Sequence, residues 1–204
     1  MTKLYYSKNL NPRVAVAVAR HLGSKVEYVR ASPKAPNEEA AFRLINPNTL
    51  VPVLVEDDRA FWETDAIACR LSQLAGSDFW RSGDAQPEMI KWVSWGTHHL
   101  TRAADVFYWW NVIVPTFSAE RPMPSAIDEA LADFRRYAAI LEDTLAGRTW
   151  LVGESVSYAD FRVATALPFA EKAGLPLDEF PKIKRWHDRL CEIDAWRAPF
   201  DGLN

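Results

Sequence analysis

Three short stretches hold the side chains whose types and spacing could do chemistry. In Ser7-Lys8-Asn9-Leu10-Asn11-Pro12-Arg13, a strand pattern feeds a helix start. Asn is a good N-cap and Pro is tolerated at N1, so Asn11-Pro12 is read as the helix opening. Unsatisfied amides and the helix dipole stabilise anions at such a place, and a thiolate held there has its pKa lowered. Asn11 as cap explains one residue, while Ser7 and Asn9 are left either facing a ligand or solvated. The second stretch is Val51-Pro52, where a proline enters a β-branched run. Proline removes a ladder donor and belongs at a strand start, an edge or a bulge. A trans bond makes it an ordinary edge proline. A cis bond turns the Val51 N–H and C=O outward, where an extended peptide can pair with them. The third stretch, Trp62-Glu63-Thr64-Asp65-Ala66-Ile67, gathers acceptors at another helix start. Thr64 as N-cap with Asp65 in the first turn is one explanation. The other has Glu63 receive an ammonium while Thr64 and the helix amides receive a carboxylate, which is recognition of an amino-acid head group.

Other chemistries lack their signatures. The sequence contains no HExxH, EF-hand loop, GxGxxG, GxxxxGK[ST] or GxSxG, which removes zinc-peptidase, calcium-sensor, dinucleotide, P-loop and serine-hydrolase readings. His98 and His99 are adjacent, so on a helix they point about 100° apart and cannot chelate one ion. No metal is expected. Cys69 and Cys191 are the two cysteines and form no CxxC, which fits a reducing cytoplasm. With 24 Lys+Arg against 27 Asp+Glu, the net charge is -3. That balance supplies no basic field for nucleic acid or anionic membranes. No apolar stretch approaches the roughly 20 residues that span a bilayer, and no export signal is read at the start. Lys8, Arg13 and Lys34 could meet a ligand carboxylate, although surface solvation explains each more simply. Tyr108-Trp109-Trp110 reads as core with an exposed flank, and aromatics facing a cleft would suit a flat apolar substrate.

The elements that position these residues fall into two sets. Strand patterns at 3–7, 25–30, 51–55 and 59–62 alternate with helix patterns at 11–22, 37–45 and 64–75, making an α/β unit whose last two strands form a hairpin about Asp57-Asp58. The stretch 76–87, rich in Gly, Ser and Asp, is the linker. Beyond it the chain is all helix. A long segment from Pro87 to Val114 carries Trp92, Trp95, His99, Val106, Trp109 and Ile113 near helical spacing. Then come an amphipathic helix through Leu145, a capping-box pattern at Ser157-Tyr158-Ala159-Asp160, and a last helix from Pro181 to Ile193. The expected domains are 1–78 and 87–204.

These pieces resemble a cytosolic glutathione S-transferase of the bacterial type over nearly the whole length. The resemblance is carried by Leu4-Tyr5-Tyr6-Ser7 and Asn11-Pro12-Arg13, by Asn46-Pro47-Asn48-Thr49-Leu50-Val51-Pro52-Val53-Leu54, and by Glu63-Thr64-Asp65-Ala66-Ile67. Trp92-Val93-Ser94-Trp95 and the run Trp150 to Asp160 add to it. It implies a thioredoxin-like α/β N-terminal domain, an all-α C-terminal domain, a homodimer, and glutathione as co-substrate with a small hydrophobic electrophile. Detoxification is the role that goes with it. Val51 before a cis Pro52 would pair with the cysteinyl backbone, Glu63 and Thr64 would hold the γ-glutamyl group, and the thiol would point at Ser7 to Asn11. Family members carry Tyr, Ser or Cys at the activating position, whereas this loop offers Ser7, Asn9 and Asn11. Members that form a mixed disulfide through their own cysteine are a poor match, because no cysteine precedes Cys69. The rival reading is a non-catalytic scaffold on the same fold.

Overall fold

The computed structural model describes residues 1–203, which fall into two compact units: Met1–Trp80 together with the segment from Ile193 onward, and Arg81–Glu192. The helical domain read from the sequence as 87–204 therefore differs at its end, because residues 193–203 group with the first unit. Side chains of that segment reach positions near the start of the chain: Phe200 stacks on Tyr6 with ring centroids 5.7 Å apart. Sequence periodicity carries no signal of such a return.

The first unit is a four-stranded mixed sheet of β1 (Lys3–Tyr6), β2 (Glu27–Arg30), β3 (Val53–Glu56) and β4 (Arg59–Trp62), in the order β2-β1-β3-β4. β1 runs parallel to β2 and antiparallel to β3, and β3–β4 is the hairpin, closed at Asp57-Asp58 with Asp57 at φ 53°. Helices α1 (Leu10–His21) and α3 (Thr64–Leu74) pack against each other, and α2 is a short turn of helix at Glu39–Arg43. Alternation sets the two layers. Leu4 and its cross-strand partner Leu54 are fully buried, whereas Tyr5 turns the other way and meets Phe42 of α2 edge-on at 5.6 Å. Most of α1 is buried, Val14 through Ala19 without a break. Small Val and Ala side chains permit that enclosure.

The second unit is all helix. A continuous helical path runs through α4 (Gln86–Trp95), a π-helical turn at Gly96–Thr101, α5 (Arg102–Tyr108), a second π-helical turn at Trp109–Ile113 and a 3-10 turn at Val114–Thr116. It is followed by α6 (Pro124–Thr144), α7 (Tyr158–Val163), α8 (Ala170–Ala173) and α9 (Pro181–Cys191). The short α10 (Asp194–Arg197) already belongs to the first unit. The π turns explain why the long segment shows only approximate helical spacing, since each inserts a residue and rotates the stripe. Gly96 sits where α4 meets α7: a Cβ there would lie 2.9 Å from Val163 Cγ2 and 3.2 Å from the Val163 backbone. The capping box forms as read. Asp160, fully buried, accepts from the Ser157 amide and hydroxyl, the Leu151 amide and the Trp186 indole at 2.9–3.0 Å. Burial pushes its carboxyl up, and those four donors oppose the shift.

Candidate functional site

The β1–α1 connection is the first part of the site. The helix begins at Leu10 rather than after Asn11, and Asn9 is its N-cap, in extended backbone with its side-chain oxygen accepting from the Leu10 amide at 2.8 Å. Asn11, expected as the cap, is instead the second helical residue. The physical reason lies one residue earlier in the chain: Leu10 is buried and anchors the first turn, so the polar residue just before it takes the cap. No acidic residue occupies the first turn of α1, which leaves the positive end of its dipole unopposed. The Leu10 amide is engaged by the cap and Pro12 has no N–H, so anion stabilisation here rests chiefly on side-chain donors and the dipole. Ser7 is half-buried, directly after β1, and Asn9 and Asn11 are exposed.

The second part is the approach to β3. The Val51-Pro52 peptide is cis. Val51 lies two residues before the ladder, which begins at Val53, and its amide and carbonyl have no hydrogen-bond partner among the described residues. The turn before it is held by Asn46, a residue to which the sequence alone assigns no individual role. Buried Asn46 donates to the Leu50 carbonyl at 2.8 Å and accepts from the Asn48 amide at 3.0 Å, while Thr49 takes φ 51°. The one signal in the sequence is an Asn-Pro pair ahead of a strand.

The third part is the start of α3. Glu63, not Thr64, occupies the N-cap position, and it does so at φ 71° without using its side chain as a cap. Its exposed carboxylate has no hydrogen bond or ion pair among the described residues. Thr64 is buried, and its hydroxyl donates to the Asn11 carbonyl at 3.4 Å. Arg70 ties α3 to the end of β3 by a two-pronged bond to Glu56, at 2.9 and 2.7 Å, and that bond holds the Glu56 carboxyl below the usual carboxylate range.

Sheet register and the Thr64–Asn11 hydrogen bond bring the three parts to one edge of the first unit. Tyr5 pairs with Val53, so continuing the antiparallel register sets Ser7 level with Val51. The Thr64–Asn11 bond joins the starts of α3 and α1 across 53 residues of sequence. Together they form a rim with an anion-stabilising helix start, an unpaired main-chain segment and an unpaired carboxylate.

The remaining candidates fall elsewhere. Arg13 is buried rather than solvated, its guanidinium donating to the Trp196 carbonyl. Cys69 is half-buried on α3, and burial pushes its thiol up, away from the thiolate form. A cavity of about 340 Å³ opens at the far ends of α1 and α3, between Leu22, Val26 and Leu71, away from these residues. In the second unit, Tyr108 is buried edge-on against Phe169, while Trp109 is exposed. Burial, reinforced by the Asp105 charge, pushes the Tyr108 phenol up to about 12, so it is a neutral hydrogen-bond donor at pH 7. Among the described residues no group of three metal-ligating side chains converges, and no helix is long and apolar enough to cross a membrane.

Comparison with known proteins agrees with this layout. Residues 2–71 match the family model "Glutathione S-transferase, N-terminal domain" and residues 104–194 match "Glutathione S-transferase, C-terminal domain". The chain is 29% identical over 165 residues to Glutathione S-transferase GstB of Escherichia coli K12, covering 79% of this chain and 78% of the relative. It is also 29% identical over 191 residues to elongation factor 1-gamma of Carassius auratus, covering 89% of this chain but only 41% of that protein. In fold it is similar to glutathione S-transferase-I bound with lactoylglutathione, with a TM-score of 0.86 at 20% identity over 97% of both chains. Apo human glutathione-S-transferase T1-1 gives 0.87 at 24% identity over 98% of this chain and 88% of that one. A small mixed sheet followed by a helical unit, with both halves matched in order, places the chain in the glutathione S-transferase family.

Proposed function

We propose that this protein is a glutathione transferase. It binds glutathione on the rim of the first unit and holds its thiol as a thiolate at the start of α1. The observation that carries the reading is the convergence at that rim of the unpaired Val51 main chain beside cis Pro52, the unpaired Glu63 carboxylate, and the Ser7–Asn11 helix start. Val51 would pair with the cysteinyl backbone, and Glu63 would receive the γ-glutamyl ammonium, with Thr64 and the α3 amides at its carboxylate. Ser7 and the side-chain amides of Asn9 and Asn11 would donate to the sulfur. Asn9 caps with its oxygen, which leaves its NH2 group for this role. The thiol proton goes to solvent. The thiolate then forms a bond to an electrophilic carbon and expels its leaving group, or attacks one sulfur or oxygen of a disulfide or peroxide and expels the other. Small hydrophobic electrophiles, a homodimer, a cytoplasmic setting and a detoxifying role are parts of the same proposal, supported by the family.

Titration calorimetry with reduced glutathione tests the binding half, and the ultraviolet absorbance of the bound thiolate tests the activation half. Saturable binding at about 1 mM or tighter is expected. Ser7→Ala and the Asn9→Ala, Asn11→Ala pair should raise the thiol pKa more than they weaken binding. A scaffold reading is favoured by the similarity to elongation factor 1-gamma. Absence of glutathione binding by the wild-type protein would put that reading first.

A further inference from the structure

The segment Ile193–Leu203 grips both sides of the β1–α1 connection. On the strand side, Phe200 lies nearly parallel to Tyr6, the residue just before Ser7, with an interplanar angle of 18°. On the helix side, Arg13 donates to the Trp196 carbonyl and holds its guanidinium 4.6 Å above the Trp196 ring, and Arg20 donates to the Asp201 carbonyl. Tyr6, Arg13 and Trp196 are all buried. Plain adhesion would be met by aliphatic packing, because burying a guanidinium carries a desolvation cost that Val or Leu avoids. What the arginine supplies instead is direction: a planar guanidinium with Nη2 donating to a fixed carbonyl and its face stacked on a fixed ring.

From this arrangement we propose that the 193–203 segment is a positioning device for the Ser7–Asn11 loop, with Arg13, Trp196 and Phe200 as positioning residues. They touch neither glutathione nor the reacting atoms. They act by fixing where Ser7 and the side chains of Asn9 and Asn11 stand relative to the sulfur. This rests on the glutathione reading above, and it assigns to residues outside the rim the accuracy of thiolate stabilisation. Donor geometry is what a thiol pKa senses, and shifts well below 1 Å weaken such hydrogen bonds steeply.

The test uses the full chain, with Phe200→Leu and Arg13→Lys, the second keeping the charge and losing the planar stack. Three quantities are measured: melting temperature, glutathione affinity by calorimetry, and the pH midpoint of bound-thiol ionisation by ultraviolet absorbance. Affinity should stay within about twofold while the midpoint rises by roughly 0.5–1 pH unit, cutting thiolate below the midpoint about 3- to 10-fold. Phe200→Tyr, which keeps the stack, should titrate like wild type. A wild-type midpoint in folded Phe200→Leu and Arg13→Lys overturns the proposal, as does a loss of affinity in step with a loss of melting temperature. Should Arg13→Lys not fold, Phe200→Leu alone decides. If wild-type protein binds no glutathione, the functional reading itself fails and the positioning role falls with it, a result visible before any variant is made.

Discussion

Replacing Glu63 by glycine should make the protein more stable and worse at binding glutathione. Glu63 stands at φ 71°, ψ 125° at the head of α3, a backbone region that costs a residue with a Cβ about 1–2 kcal/mol and glycine almost nothing. Against that gain, glycine adds about 0.4–1 kcal/mol of unfolded-chain entropy. The net is a stabilisation of about 0.5–1 kcal/mol, or roughly 1–4 °C in melting temperature for a chain of this size. The carboxylate makes no hydrogen bond or ion pair among the described residues, so its removal forfeits only its attraction to the α3 dipole, about 0.3 kcal/mol at an exposed helix start, a loss that an alanine there shares. A single charge-assisted hydrogen bond to an ammonium is worth about 1.5 kcal/mol, hence roughly a tenfold weaker dissociation constant. Glu63→Ala is the control: it keeps the Cβ and the strain, and should lose the same affinity with no gain in melting temperature. Thermal unfolding and calorimetry on the three proteins settle the matter. Wild-type affinity in Glu63→Gly would remove Glu63 from the site, and a melting temperature several degrees lower would show that the positive φ at 63 costs the fold nothing.

Gly96→Ala should destabilise the second unit by about 1–3 kcal/mol in urea unfolding, because its Cβ would meet Val163 at 2.9 Å. Val163→Ala in that background should restore part of the loss and not all, since the Val163 backbone still stands 3.2 Å from the added methyl. Glu142 of α6 accepts from the Lys182 and Ile183 amides at 3.0 Å, capping α9 from another helix. Glu142→Ala should cost about 1–2 kcal/mol, with Glu142→Gln losing less because it keeps an acceptor. His21 packs at 4.7 Å on Phe79, and burial lowers its pKa. The unfolded chain thus binds the proton more readily, so this residue's contribution is complete above about pH 6.5 and is lost as pH falls through the lowered folded-state value. In pH-dependent melting, His21→Gln should fall less steeply than wild type below about pH 6.5, and an identical slope would contradict the shift.

Element types are legible wherever a pattern has a single physical cause. The Asp57-Asp58 hairpin, the Ser157–Asp160 box and the all-helical second unit all follow from local propensity and periodicity. Caps differ from the sequence expectation by one or two residues. At α1, the buried Leu10 rather than the Asn-Pro pair decides where the helix starts; at α3, Glu63 holds the cap position through backbone conformation, which side-chain type does not report. The Val51-Pro52 dipeptide leaves cis and trans both open, and only the three-dimensional structure shows the cis state. Arg13 looks like a surface cation in the sequence because its partner is a carbonyl 183 residues away. The convergence of Ser7, Val51, Glu63 and Thr64 is a product of sheet register, and no spacing in one dimension contains it.

The first unit is written in two pieces, with roughly 110 residues of the second unit between them. At a synthesis rate of about 5–20 residues per second, the sheet and the starts of α1 and α3 leave the ribosome some 6–20 s before Trp196 and Phe200 exist. During that interval Tyr6 lacks the Phe200 stack, and Arg13 lacks the Trp196 carbonyl and ring. Emergence of residues 193–203, rather than of the sheet, is then the event that closes the first unit's core, and ribosome-bound chains halted before residue 193 and after residue 203 has left the ribosome should differ sharply in protease resistance at α1.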